Sequence, residues 1–226
     1  MTTFASQSVA CGNCGHVFNH PTLGSTYTFG SPDLDTRPPE MQRSTMHAWI
    51  QRCPSCGYCS RDVAEFDHRL RPVLESAEYR SQLTNAVYPE LTSTFICAGM
   101  LAEAAGRQAD AGWAYLHAAW TLDDANKDEL ARVWRRRAAD KFLAALTDGQ
   151  LFAEQPGASE AIVTDCLRRT DRGTEALQVI ERGLSESYDD VIHKILALER
   201  RLIHCGDAGR HLIKEVFEAR QTAVEG

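Results

Sequence analysis

The sequence has no run of about 18 apolar residues, the length a helix needs to cross a bilayer, so no segment reads as membrane-spanning. The opening residues MTTFASQSVACGNC lack the cationic start and apolar stretch of a secretory signal, which makes the cytoplasm the expected compartment. Lysine is scarce, 4 residues against 20 arginines, a bias that reflects genome composition rather than function. The phosphate-binding pattern GxxxxGK[ST] does not occur, nor do GxGxxG, HExxH or GxSxG. Those absences point away from an enzyme. Positive charge is in deficit too: the net charge of −7 repels a phosphate backbone and argues against nucleic acid as a partner.

What remains is a chain of 226 residues, 43% hydrophobic and 24% charged, sufficient for a packed core. Its two parts differ. Residues 1–72 hold five of the eight cysteines, most of the prolines, and six Lys/Arg against six Asp/Glu. Residues 73–226 hold 18 basic and 25 acidic residues, hence the whole net charge, and are rich in Ala, Leu, Glu and Arg, which favour helix. The expected fold is therefore α+β and mainly α. A small zinc-ribbon-like module (1–72) precedes a helical-hairpin body (73–226).

In the first part, Phe4–Val9 reads as a strand, and Met46, Ala48 and Ile50 alternate with His47, Trp49 and Gln51 at the period of another. The segment TLGSTYTFGSPDLDTRPPEM between the cysteine pairs reads as loop with turns. In the second part, apolar spacing predicts helices near 73–87, 90–105, 109–123, 127–147, 159–171, 174–186, 189–205 and 210–222. Trp113, Leu116 and Trp120 form one apolar stripe, and Ile192, Ile195, Leu198 and Leu202 another. Ser159 and Ser187 are candidate starts, and Gly106, Gly149 and Gly206 candidate stops. Phe95, Gly99, Ala111, Tyr115 and Ala118 occupy the bulky, Gly, Ala, aromatic and Ala positions of a tetratricopeptide hairpin. Leu167, Ala176, Ile180 and Gly183 repeat them more weakly. A plain α-bundle is the alternative.

The strongest local signal is CGNCG with CPSCGYC. Two cysteines two residues apart clamp one side of a zinc ion in a tight turn, and the following Gly15 or Gly57 accepts the positive φ of that turn. Cys11, Cys14, Cys53 and Cys56 thus make a Cys₄ site for one structural zinc. Cys59 can compete with Cys56, and His16 and His20 are further possible ligands. A thioredoxin-like dithiol would need a βαβ context that does not surround Cys11. Cys97, Cys166 and Cys205 stand alone on helices and read as core residues.

The order CxxCG, a proline-rich acidic segment (PDLDTRPPEM), CPxCGY and then tetratricopeptide-style helices resembles the bacterial family called domain of unknown function 2225. The match is best over residues 1–72, with Gly12 where the usual knuckle has proline. The resemblance implies a bound zinc and a helical-repeat body, and no reaction.

Two charged segments ask for a role. Asp33, Asp35 and Arg37 lie in a loop stiffened by Pro32, Pro38 and Pro39. Either the loop meets a partner or its charges cap turns and pair with the body. Arg132, Arg135, Arg136 and Arg137 spread around one helix beside Asp128, Glu129 and Asp140, the pattern of a solvated face with local ion pairs. The expected function is a non-catalytic, zinc-stabilised scaffold with a protein partner. The alternatives are a zinc-ribbon nucleic-acid binder and an enzyme built on Asp33, Asp35 and Arg37.

Overall fold

The computed structural model describes residues 1–218. The part of the expected 210–222 helix beyond 218 lies outside the described residues.

The N-terminal part is two antiparallel β-hairpins. Strand β1 (Thr3–Ala10) pairs with β2 (Val17–Ser25), in register from Phe4↔Leu23 to Ala10↔Val17. Strands β3 (Gln51–Arg52) and β4 (Cys59–Ser60) form the second. A cysteine knuckle closes each. β2 covers the start of the stretch expected as loop, since Phe18, His20 and Thr22 complete the ladder with β1. The alternation at 46–50 is not a strand: Arg43–Ala48 is a 3₁₀ helix. Met46 within it and Ile50 just past its end are both buried.

Six longer helices follow: α3 (Glu90–Ala104), α4 (Gln108–Asp124), α5 (Asp128–Thr147), α6 (Ala158–Arg168), α7 (Gly173–Ser185) and α8 (Asp190–His204), each packed on the next. Before them, the expected 73–87 helix is two pieces, α1 (Arg71–Glu75) and α2 (Ala77–Leu83). Ser76 splits them: its extended backbone ends α1, and its Oγ accepts from Tyr79 N–H at 3.2 Å to cap α2. The short α9 (Glu215–Glu218) ends the described chain. The caps fall beside the predicted serines. Gly157, with φ +83°, precedes α6, and the Asp189 carboxylate caps α8. Gly106, Gly149 and Gly206 sit just past the ends of α3, α5 and α8, as expected. No helix among the described residues is long and apolar enough to cross a membrane.

The core does not stop at residue 72. Met46 and Ile50 join Phe95, Tyr115, Trp120 and Phe142 in the central cluster. Val9, Cys11, Tyr58 and Val63 pack with Tyr79, Leu83, Cys97 and Leu101 of α2 and α3, and Leu34 packs among α6 to α8. Trp120 of the stripe and Tyr115 of the repeat pattern are core residues, at 2% and 0% exposure. Close approach of α3 to α4 depends on Gly99, where a Cβ would lie 2.5 Å from the Tyr115 ring.

That ring is buried and its hydroxyl donates to Glu103 at 2.9 Å, so it cannot swing aside. Gly99→Ala is therefore expected to cost about 1–3 kcal/mol, seen as a lower urea midpoint at unchanged slope; an unchanged midpoint would refute the tight contact.

Candidate metal centre and the buried ion network

Both knuckles use one local geometry. Cys11 N–H donates to His16 O at 2.9 Å and Gly15 N–H to Cys11 O at 2.7 Å. Cys53 N–H donates to Tyr58 O and Gly57 N–H to Cys53 O, each at 2.9 Å. Gly15 and Gly57 turn the chain with φ of +73° and +75°, conformations that a side chain would strain. The turns aim N–H groups at sulfur: those of Asn13 and Cys14 at Cys11, those of Ser55 and Cys56 at Cys53, and that of His16 at Cys14.

The hairpin tips bring Cys11, Cys14, Cys53 and Cys56 together, with all four Sγ atoms within 4.8 Å of one another. Cys11–Cys56 and Cys14–Cys53 are both 3.6 Å apart. A tetrahedron with metal–sulfur bonds of about 2.3 Å has edges of roughly 3.8 Å, so the four sulfurs fit one metal ion. Burial pushes the Cys11 thiol up to about 12 and raises Cys53, whereas the His16 N–H lowers the surface Cys14 to about 7. A bound cation supplies the charge that lets all four ionise.

The site is clasped from outside. Tyr79 Oη donates to Gly57 O at 2.9 Å and Arg80 Nη1 to Cys56 O at 2.8 Å, fastening the second knuckle to α2. Gly12 N–H donates to Val63 O at 2.8 Å, and a Cβ on Gly12 would lie 2.3 Å from Ala64 O. Proline would lose that bond and collide, which explains glycine here. Cys59 is outside the metal cluster. It is buried and donates to Gly57 O at 3.4 Å, on the side of Tyr79 and Cys97. His16 stacks on Phe18, and His20 meets Ala48 O at 3.5 Å; neither joins the cysteines. Cys97 and Cys166 are buried, while Cys205 is exposed rather than core.

Asp33, Asp35 and Arg37, expected as a possible partner-binding loop, are 5%, 0% and 3% exposed. They form part of the core: the helical body supplies opposite charges for Asp35 and Arg37, and Asp33 lies 3.9 Å from both Arg37 and Arg210. Asp35 accepts from Trp120 Nε1 at 2.9 Å and Arg169 Nη1 at 3.4 Å, and Arg135 lies 3.7 Å away. Burial alone would raise its pKa; Arg135, Arg169 and Trp120 outweigh burial and hold it below the ordinary value. Arg37 pairs with Asp124 and lies 3.6 Å from Asp123, which Arg135 meets at 2.6 Å. The turn is tight: Asp33 N–H donates to Arg37 O, Thr36 N–H to Asp33 O, and Thr36 is left-handed at φ +67°. Residues 31–34 also bond the C-terminal segment, with Leu34 N–H to His211 O at 3.0 Å and Ile213 N–H to Pro32 O at 2.9 Å.

The arginine run forms no free basic patch, and its partners are on other elements rather than beside it. Arg132 pairs with Asp171, Arg135 with Asp123 and Arg137 with Glu103, while Arg136 donates to Thr170 O. A feature that spacing did not predict is Arg168, buried between Asp165 at 2.5 Å and Glu199 at 2.7 Å. Its only sequence signal is an i,i+3 Asp–Arg pair, which surface helices share. No family model, curated protein or solved structure matches the chain.

Burial, reinforced by the Asp35 charge, pushes Asp33 up to about 6 against the pull of Arg210 and Arg37. The folded state then holds this proton more tightly than the unfolded chain. Asp33's contribution is present below about pH 4 and is lost as pH rises through about 6. The stability of Asp33→Asn relative to wild type should therefore rise between these pH values, by on the order of 2 kcal/mol. Urea unfolding of both proteins checks it, and a pH-independent difference would count against it.

Proposed function

We propose that the chain is a zinc-stapled binding protein whose partner is another protein and whose metal does no chemistry. The observation that carries this reading is where the apolar surface lies. Of ten large apolar side chains exposed among the described residues, six belong to the first 29 residues: Met1, Phe4, Val17, Leu23, Tyr27 and Phe29. Residues 1–32 contain no Asp, Glu, Lys or Arg. An uncharged apolar face on an otherwise highly charged chain favours contact with another macromolecule. β1 pairs only with β2, and it carries neither the lysine nor the proline by which exposed edges resist pairing. That edge suits a partner strand.

Four thiolates in a tetrahedral setting favour Zn²⁺ by softness and geometry, and they leave no coordination position for substrate. The sealed Asp33–Arg37 turn argues against the enzyme alternative, and the paired arginines against the nucleic-acid one. Tetratricopeptide-style contacts such as Gly99 against Tyr115, and the resemblance to the domain of unknown function 2225 family, agree with a scaffold.

Metal analysis of purified protein should find about one zinc per chain, falling below about a fifth of that in Cys56→Ser, with loss of the knuckle amide signals. Absence of zinc from well-folded wild type would refute the staple. For the partner, a photocrosslinking residue replacing Phe29 should capture a discrete protein in the native host, and one replacing the exposed Val133 of α5 should not. Equal capture at both positions would refute the assignment of the face.

A further inference from the structure

A cleft of about 360 Å³ opens between the segment 28–42 and α4. It is lined by Trp49, Trp113, His117 and Trp120, together with prolines, threonines and Gln42 of the segment 28–42. We propose that this cleft binds an uncharged, planar heteroaromatic molecule, held against tryptophan faces and hydrogen-bonded to His117. The inference stands apart from the protein-partner reading, which rests on the β1–β2 hairpin.

Charge sets the class of ligand. No Asp, Glu, Lys or Arg lines this cleft, whereas four other clefts among the described residues have arginine and carboxylate in their walls. A charged ligand would give up its hydration here with no counter-charge in return. The volume suits a small molecule.

The tryptophans select flat rings. Their N–H donors are already used: Trp49 donates to Thr45 Oγ1, Trp113 to Phe152 O and Trp120 to Asp35 Oδ2, each at 2.9 Å. These bonds fix the indoles, and the half-buried Trp49 and Trp113 offer π-surface. Trp120, at 2% exposure, backs Trp113 edge to face, with centroids 6.3 Å apart and planes at 71°.

His117 supplies the polar contact. Its half-buried ring is enclosed by Trp120 at 4.9 Å, Phe95 at 5.2 Å, Trp49 at 5.4 Å and Trp113 at 5.6 Å. Neither ring nitrogen hydrogen-bonds a described residue. Burial drives its pKa down to about 3, which Arg61 assists and Asp35 opposes, so the imidazole is neutral at physiological pH. It then carries one N–H donor and one acceptor nitrogen. A half-buried donor and acceptor that lines the cleft and has no protein partner is a place for a ligand's hydrogen bond.

The test uses the zinc-loaded full chain and 7-azaindole, an uncharged planar probe with one donor beside one acceptor. Indole N–H resonances are followed by NMR. Those of Trp49, Trp113 and Trp120 should shift together with a Kd on the order of 1 mM, and that of Trp134, which does not line the cleft, should not. His117→Phe should weaken binding about tenfold, the worth of one hydrogen bond. Gln42→Trp, which caps the rim without touching the core, should abolish it. Benzamidine and benzoate, planar but charged, should bind at least about tenfold less well. No shift at any of the three tryptophans would overturn the proposal. So would equal binding of the charged probes, or shifts with a decaproline peptide but not with 7-azaindole, which would make the cleft a peptide groove.

Discussion

One buried carboxylate organises the centre of this molecule. Asp35 has no solvent exposure, and it is met by Trp120 of α4, Arg135 of α5 and Arg169 just beyond α6. An ion in the interior costs several kcal/mol to desolvate, and coordinated partners return that cost only when their geometry is satisfied. The network therefore contributes register more than net stability. With Asp35 displaced, the buried Arg135 and the half-buried Arg169 would lose a carboxylate, a change that costs about 3–5 kcal/mol in fully buried pairs. This constraint holds the 33–37 turn shut and maintains Thr36, a β-branched residue, in the left-handed region.

The N-terminal segment is fastened to the rest of the chain at three places. The cysteine knuckles are clasped by Tyr79 and Arg80 of α2. The Asp35 turn plugs into α4 to α6. Residues 31–34 bond the segment 211–214 through backbone groups and Ser31. These attachments leave the β1–β2 hairpin projecting with both faces largely exposed. They also set the 28–42 segment beside α4, which forms the aromatic cleft. Trp120 belongs to both features: its N–H serves Asp35 while its ring lines the cleft.

The cysteine tetrad and the long helices were legible in the sequence because their causes are local. A CxxC followed by glycine dictates its own turn. Apolar stripes at helical spacing identify helices whatever they pack against, and α3 to α8 lie within a few residues of their predicted spans. Where a local preference met a competing interaction, the prediction failed. Ser76 breaks an otherwise helical stretch because its side chain caps the next turn. The alternation at 46–50 gave way to a 3₁₀ turn because the central cluster takes Met46 and Ile50 together.

The sequence by itself determined the two cysteine knuckles, the helical body and the uncharged N-terminal stretch, since each depends on residues close in the chain or on composition. Only the tertiary structure decided that Asp33, Asp35 and Arg37 are interior. The burial of a charge depends on its counter-charges, and those of Asp35 come from residues 100 and 134 positions away. It alone likewise decided that Cys59 faces Cys97 rather than the cysteine tetrad, and that Trp49 meets His117 of α4. Both are juxtapositions of distant segments, which packing creates and no local pattern encodes.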